Sequence, residues 1–163
     1  MTKRLGFLST LVPLKEIGRE PDLVIGSGNE RHFFSLGVGP HPGGFILAVD
    51  TIYGTPKLYR DEAAIAVLYH EVLAVIASDK SVYETRFVGT VFDIVDFQGE
   101  HYLEMELGCA RLDRGFSVTW VHEVPDIVNE MRFAGPTIEL DLFEGGRSVV
   151  NAVSGQEISF RWS

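Results

Sequence analysis

Apolar and polar residues alternate along much of the C-terminal half of the chain. Glu104 separates Leu103 from Met105, and the same period of two recurs over residues 138–142 and 158–162. This period places apolar side chains on one face of a strand and polar ones on the other. Further strands are predicted over residues 86–97, 116–122 and 147–153, with turn sequences at 98–100, 113–115 and 144–146. The pattern predicts an antiparallel sheet that curls or closes.

The N-terminal half has a less regular pattern. Strands are predicted over residues 22–26, 32–38 and 44–52, the last two joined by a turn rich in glycine and proline at 39–44. Segment 61–78 fits either a helix, since acidic residues begin it, or two short apolar strands around Tyr69, His70 and Glu71.

A short helix is predicted from Val124 to Arg132, because Pro125 suits a first helical position. The expected fold class is therefore mainly β, a β-rich α+β fold. It would be an antiparallel curled sheet or a β-cone or barrel with one or two short helices.

Composition limits the size and the partners of the protein. The 163 residues favour a single domain, 1–163. Lysine and arginine total 14 against 23 acidic residues, a net charge of −9 that disfavours nucleic acid and membrane surfaces as partners. The basic and then apolar start of the chain is too short for a membrane span and lacks a clear cleavage site, so a cytoplasmic location is expected. A homo-oligomer is left open.

Cysteine and histidine positions argue against a metal site. Cys109 is the only cysteine, which excludes an intramolecular disulfide, and its acidic neighbours disfavour a thiolate, so we expect a core residue. No two of the five histidines have the i,i+4 spacing of a helical metal pair. No metal and no other cofactor is predicted.

Lys57 is the first candidate for chemistry. The phosphate-loop, dinucleotide-binding, nucleophile-elbow and zinc-protease motifs do not occur. Lys57 follows an apolar strand, a break at Gly54 and Pro56, and lies between Tyr53 and Tyr59. A lysine in an apolar pocket loses hydration, its pKa falls, and the neutral amine can form a Schiff base with a carbonyl compound. The alternative is a turn lysine that points to water.

A pair of glutamates is the second candidate. Glu104 and Glu106 are predicted on one face of a strand, and the strand that ends at His122 could bring further polar groups beside them. Paired carboxylates in a cavity can separate their pKa values and act as acid and base. An ordinary solvated face is the alternative.

The order of three segments resembles the acetoacetate decarboxylase family over about residues 44–162. Residues 53–58 resemble the segment in which a Tyr-Pro or Phe-Pro pair precedes two lysines. Residues 92–99 resemble its strand and Asp-Gly turn, and residues 135–143 its Gly-x-x-x-Leu-x-Leu-Phe strand. The resemblance implies a β-cone around an apolar cavity, with Lys57 as the imine-forming lysine. Leu58 stands where the family has its second lysine, so only burial could activate Lys57.

Two functions follow as hypotheses. The first is an enzyme acting on a small carbonyl compound through a lysine Schiff base, as a decarboxylase or a related aldol, dehydratase or cyclase enzyme. Its candidate catalytic residues are Lys57, Glu71, Glu104 and Glu106, and its candidate substrate-binding residues are Tyr53, Tyr59 and His122. The alternative is a non-catalytic barrel that binds an apolar ligand, or an acidic protein of the inhibitor or immunity type. Whether Lys57 lines an enclosed cavity would distinguish them.

Overall fold

The computed structural model describes residues 2–4, 12–14, 20–26, 31–36, 45–50, 53–61 and 64–162. These residues form strands and turns, with no helix among them, so the mainly β fold class is confirmed. The chain divides into two compact units. The N-terminal unit is Gly6–Arg86, and the C-terminal unit is Met1–Leu5 together with Phe87–Ser163.

The described strands lie in four sheets. In chain order they are β1 (Thr2–Arg4), β2 (Val12–Leu14), β3 (Leu23–Ile25), β4 (Arg31–Leu36), β5 (Phe45–Asp50), β6 (Lys57–Arg60), β7 (Ala64–Tyr69), β8 (Val72–Ala77), β9 (Val82–Arg86), β10 (Val91–Phe97), β11 (Glu100–Met105), β12 (Gly108–Leu112), β13 (Val118–Glu123), β14 (Val128–Ala134), β15 (Thr137–Leu142), β16 (Arg147–Asn151) and β17 (Glu157–Arg161).

The N-terminal unit contains two four-stranded sheets, ordered β2-β4-β5-β3 and β6-β7-β8-β9. All neighbouring strands are antiparallel except β3 and β5, which are parallel. Buried apolar side chains of both sheets form one core, which includes Ile25, Leu47, Val67 and Ile76. The sequences of β7 and β8 are continuously apolar rather than alternating. In agreement with this, both faces of the two strands are almost wholly buried. For segment 61–78 the two-strand interpretation is thus correct and the helix is wrong.

The C-terminal unit contains a five-stranded antiparallel sheet, β1-β10-β11-β12-β13, and a four-stranded antiparallel meander, β14-β15-β16-β17. Tyr102 and Cys109 of the first sheet and Ile138, Leu140 and Val150 of the second share one hydrophobic core. Cys109 is a buried core residue, as expected, and burial raises the pKa of its thiol to about 12. It is therefore protonated at neutral pH.

The predicted alternation holds in the middle of the meander and fails at its edge. On β15, Ile138 and Leu140 are buried while Glu139 between them is partly exposed. Ile158 on β17 and Trp162 directly after this strand are each more than half exposed. Since β17 is the outermost strand of its sheet, it has a strand neighbour on one side only, and its apolar side chains are less covered.

Two further expectations need correction. The helix predicted over 124–132 is wrong, because Val128–Ala134 is strand β14, paired with β15 in a register that sets Met131 against Leu140 and Phe133 against Ile138. The described residues also form no closed barrel, since in each sheet the first and last strands remain unpaired with each other. The turn at 39–44 and the start of the chain, apart from short strand segments, lie outside the described residues.

Candidate functional site

The ends of several strands of the N-terminal unit surround a cavity of about 300 Å³. β3, β5, β7 and β9 end there and β8 begins there, so the side chains come from distant parts of the sequence. We call it the turn cavity, after the β7–β8 turn at its rim. Its described lining residues are Ile25, Gly26, Asp50, Tyr53, Tyr69, His70, Glu71, Val72 and Arg86.

A buried pair, Asp50 and Tyr69, forms the polar wall of the turn cavity. The two residues are 3 % and 4 % exposed. The Tyr69 hydroxyl group lies 2.5 Å from Oδ1 of Asp50 and 2.6 Å from its carbonyl oxygen, and it accepts a hydrogen bond from the backbone N–H of Tyr53 at 3.1 Å. Burial, and then the hydrogen bond with Asp50, raise the pKa of Tyr69 to about 12. The phenol therefore stays protonated at neutral pH and keeps its donor role.

Gly26 lies directly against the Asp50 side chain. Its φ is +91°, and a Cβ atom at this position would come 2.1 Å from Oδ2 of Asp50. Glycine is required here because it tolerates positive φ and leaves room for the carboxyl group. The backbone at Gly26, directly after β3, therefore packs against the Asp50 side chain.

Two stacked aromatic rings, those of Tyr53 and His70, lie at the rim of the turn cavity. Their ring centroids are 3.7 Å apart with an interplanar angle of 14°. Tyr53 is 54 % exposed. Its ring also packs edge-on against the Tyr69 ring, with 6.0 Å between the two ring centroids. His70 occupies the β7–β8 turn with φ +52°, a conformation that is uncommon for residues other than glycine but enriched for histidine. This left-handed turn residue carries the imidazole ring that stacks on Tyr53.

An ion pair completes the lining of the turn cavity. Nη1 of Arg86, at the end of β9, donates to Oε1 of Glu71 at 2.7 Å. The lining thus holds two acidic side chains, Asp50 and Glu71, and one arginine. The cavity thus combines aromatic faces, hydrogen-bonding groups and acidic character.

Only two of the residues predicted from the sequence line this cavity, namely Tyr53 and Glu71. Lys57 is half-buried on β6, opposite Leu68 of β7, and is not among the described lining residues. Tyr59 is 2 % exposed, a core position on the same strand. The sequence interpretation missed Asp50, Tyr69, His70 and Arg86 as site residues. The local signal that could have indicated Asp50 is an acidic residue directly after the apolar run 45–49.

The predicted glutamates of the C-terminal unit have different environments. Because β11 ends at Met105, Glu106 lies in the following turn, where Oε2 accepts a hydrogen bond from the Thr90 N–H at 2.8 Å. Glu104 instead lines an open groove of about 520 Å³ beside β14. Its other described lining residues are Val95, Asn129, Glu130, Met131, Arg132 and Phe133. The two carboxylates therefore do not share one strand face.

His122 belongs to a polar cluster that joins the two sheets of the C-terminal unit. Its Nε2 lies 3.0 Å from Oγ of Ser148, and Oε2 of Glu157 lies 3.8 Å from the same nitrogen and 3.4 Å from that hydroxyl oxygen. Burial lowers the pKa of His122, and Glu157 partly opposes this. Ser148 is fully buried, and Glu157 approaches Nε2 rather than orienting the ring from Nδ1. This geometry suits a structural connection better than a serine nucleophile.

Neither a metal centre nor a membrane helix is found in the part of the chain that the structure describes. No three His, Cys, Asp or Glu side chains there are grouped so that they could hold a metal ion. The same residues include no helix long and apolar enough to cross a membrane.

Comparison with known proteins does not assign the chain to a family. No protein-family model matches the sequence, and neither does any curated protein.

Proposed function

We propose that the protein binds a small polar molecule in the turn cavity without a covalent step. This ligand class differs from the apolar ligand of the non-catalytic alternative that the sequence suggested. The observation that carries this proposal is the buried Asp50–Tyr69 pair in the wall of a cavity that two stacked aromatic rings also line. Small-molecule sites combine an apolar lining with a few fixed polar groups, and here Ile25 and Val72 supply apolar surface.

The size of the turn cavity limits the ligand. Its volume of about 300 Å³ is at the lower end of the range for small-molecule sites, so the ligand is a compact molecule rather than a nucleotide or a lipid. Because Tyr69 and Asp50 already hold each other, their orientation is fixed before a ligand arrives, and less conformational entropy is lost on binding.

The position of Lys57 explains why binding is favoured over imine chemistry at this site. Among the described residues no lysine lines the turn cavity, so an amine nucleophile is not in place for a bound carbonyl compound. The hypothesis of a carbonyl enzyme stays a prediction. It depends on Lys57, which lies on β6 and is not among the described lining residues of the turn cavity.

The proposal is tested by thermal unfolding and calorimetric titration with a panel of small polar compounds. A ligand that binds only the folded protein, at about 100 times its Kd, raises Tm by about 5 to 10 °C. Tyr53→Ala removes the exposed ring and is expected to weaken binding about 2- to 12-fold, since such aromatic contacts contribute about 0.5 to 1.5 kcal/mol.

Tyr83→Ala is the matched control, because Tyr83 is an exposed tyrosine on β9 that does not line the turn cavity. We expect this variant to bind as the unmodified protein does. A panel without any saturable binder, or binders that respond equally to the two variants, would contradict the proposal.

A further inference from the structure

We infer that the protein forms a symmetric dimer in which strand β14 of one copy pairs antiparallel with β14 of a second copy. The inference concerns the C-terminal unit and is independent of the turn cavity, whose described lining residues belong to the N-terminal unit. Three features of β14 support it, and they are an unpaired edge, an open groove beside that edge, and a self-complementary arrangement of charges.

The outer edge of β14 is unpaired along most of its length. Among the described strands, β14 is bonded to β15 alone. The N–H of Val128 donates to the carbonyl oxygen of Glu106 at 2.8 Å, and from Asn129 to Ala134 no described residue forms a backbone hydrogen bond with the outer edge. Every second residue of an antiparallel ladder points its N–H and C=O groups away from the neighbouring strand. Such a row of unpaired groups is a template for a further strand.

An open groove of about 520 Å³ follows this edge. Five consecutive residues of β14, 129–133, line it together with Val95 of β10 and Glu104 of β11. The five-stranded sheet therefore leaves the edge of β14 accessible after the contact at Val128.

The charges on β14 are self-complementary. Glu130 and Arg132 are exposed and lie on one face of the strand, because they are two residues apart, while Met131 between them packs against the core. Antiparallel pairing of two copies about a two-fold axis at Met131 sets Glu130 of each copy opposite Arg132 of the other. Residues directly opposite on one face have Cβ atoms about 4.5 to 5.5 Å apart, and opposite charges there attract. The dimer thus gains two ion pairs.

Arg132 can contact a second copy without losing its contacts in its own chain. Its guanidinium group bonds to the Asp141 carboxylate, and Nη1 lies 3.4 Å from Oε2 of Glu130. Because a guanidinium group has five N–H donors, it retains donors for a carboxylate of the second copy.

Strand β17, at the opposite edge of the meander, lacks this self-complementary face. Glu157 and Arg161 lie at equal distances from Ser159, but Glu157 pairs with Val150 and Ser159 with Val149. Neighbouring residues of β16 face opposite sides, so this register shift turns Glu157 to the face opposite Ser159 and Arg161. The inferred contact is therefore assigned to β14.

Sedimentation velocity of the full-length protein over a concentration series tests the inference, with a monomer–dimer equilibrium as the expected result. Glu130→Arg should weaken association about tenfold or more, because two attractive contacts become two contacts between arginines. Arg132→Glu should weaken it similarly, because two contacts between glutamates result. Circular dichroism verifies that each variant is folded.

An equimolar mixture of these two variants is the most informative measurement. One variant carries two arginines at the pairing positions and the other two glutamates, so a mixed dimer regains two attractive pairs. We expect the mixture to dimerise at concentrations at which neither variant does so alone. Should Arg132→Glu fail to fold, the control and the exchange measurement below decide.

Glu84→Arg is the matched control, because Glu84 is an exposed acid on β9, an edge strand of the N-terminal unit, and the substitution changes the net charge equally. It should dimerise as the unmodified protein does. Hydrogen exchange followed by mass spectrometry should show protection of amides 129–134 that increases with protein concentration.

Three results would overturn the inference. They are a monomer at every concentration, a dimer that Glu130→Arg and Glu84→Arg affect equally, and a dimer without added protection of β14. With both variants folded, a mixture that stays monomeric would also overturn it. None of these results bears on ligand binding in the turn cavity.

Discussion

The Tyr69 hydroxyl group connects the end of β7 to the chain segment at the end of β5. It bonds to both the carboxyl group and the backbone carbonyl of Asp50 and accepts the N–H of Tyr53. The sequence shows Tyr69 as one apolar residue at the end of an apolar run. Its role depends on the partners that the fold brings to its hydroxyl group.

Lys57 gives a prediction at the residue scale. An imine-forming Lys57 predicts that borohydride reduction in the presence of keto acids or aldehydes leaves a covalent adduct on this residue, detected by peptide mass spectrometry. Leu58 stands where the resembled family has its second lysine, and Lys57 itself is half-buried on β6.

Lys57→Arg should abolish the adduct while keeping the positive charge. Lys80→Arg, at a turn lysine of the same unit, is the matched control and should retain it. Absence of an adduct across the whole panel, or equal loss in both variants, rules out the Schiff-base hypothesis.

Strand β14 shows how tertiary contacts override local signals at the scale of elements. Pro125 and the acidic residue after it resemble the start of a helix, but the chain continues as a strand from Val128. Cross-strand pairing with β15 places Met131 and Phe133 against the core of the C-terminal unit. Burial of these side chains with period two outweighs the small helix preference of the first turn.

The junction of β11, β12 and β13 depends on a glycine. Gly108 begins β12 with φ +144°, and a Cβ atom there would come 2.0 Å from the carbonyl oxygen of His122. Gly99, in the β10–β11 turn, has φ +80°, and a Cβ atom there would meet no other atom within 4 Å. The two glycines thus share positive φ but differ in available space.

Gly108→Ala is therefore expected to destabilise the protein much more than Gly99→Ala. The control should cost about 1 to 2 kcal/mol for the left-handed backbone, and Gly108→Ala roughly 1 to 3 kcal/mol more, because the β13 backbone must move. Urea denaturation followed by circular dichroism measures the difference. Equal midpoints for the two variants would show that β13 accommodates the methyl group without cost.

At the scale of the whole molecule, the chain was predicted to be a single domain, and it divides into two compact units. The question is whether the two units unfold together. A single cooperative domain unfolds in one two-state transition. Both tryptophans, Trp120 and Trp162, belong to the C-terminal unit, so their fluorescence reports on that unit alone. Far-ultraviolet circular dichroism reports on the strands of both units.

We expect the fluorescence and circular dichroism curves to coincide in urea, with one midpoint and one slope. Units that unfold independently would instead give a dichroism transition with no fluorescence counterpart. Repeating the measurement with the Gly108→Ala variant extends the test, because the substitution lies in the C-terminal unit. A cooperative domain would shift both curves together.

The sequence by itself determined the features that depend on neighbours along the chain. The period of two around Glu104 and from Ile138 to Leu142, the glycine-containing turns and the core position of Cys109 all follow from local pattern and composition, and together they indicate a mainly β fold. Alternation is a local property, because successive side chains of any strand point to opposite faces.

Only the tertiary structure decided which strand ends meet. Asp50, Tyr69, His70 and Arg86 are brought to one cavity by the pairing of β7 with β8 and of β8 with β9, and by the core between the two sheets of the N-terminal unit. Strand order depends on side-chain packing between segments far apart in sequence. The hydrophobic period of a single strand therefore does not indicate which strands will be its neighbours. The candidate site is therefore the turn cavity rather than Lys57. In this cavity, buried polar groups from different strands form hydrogen bonds with one another.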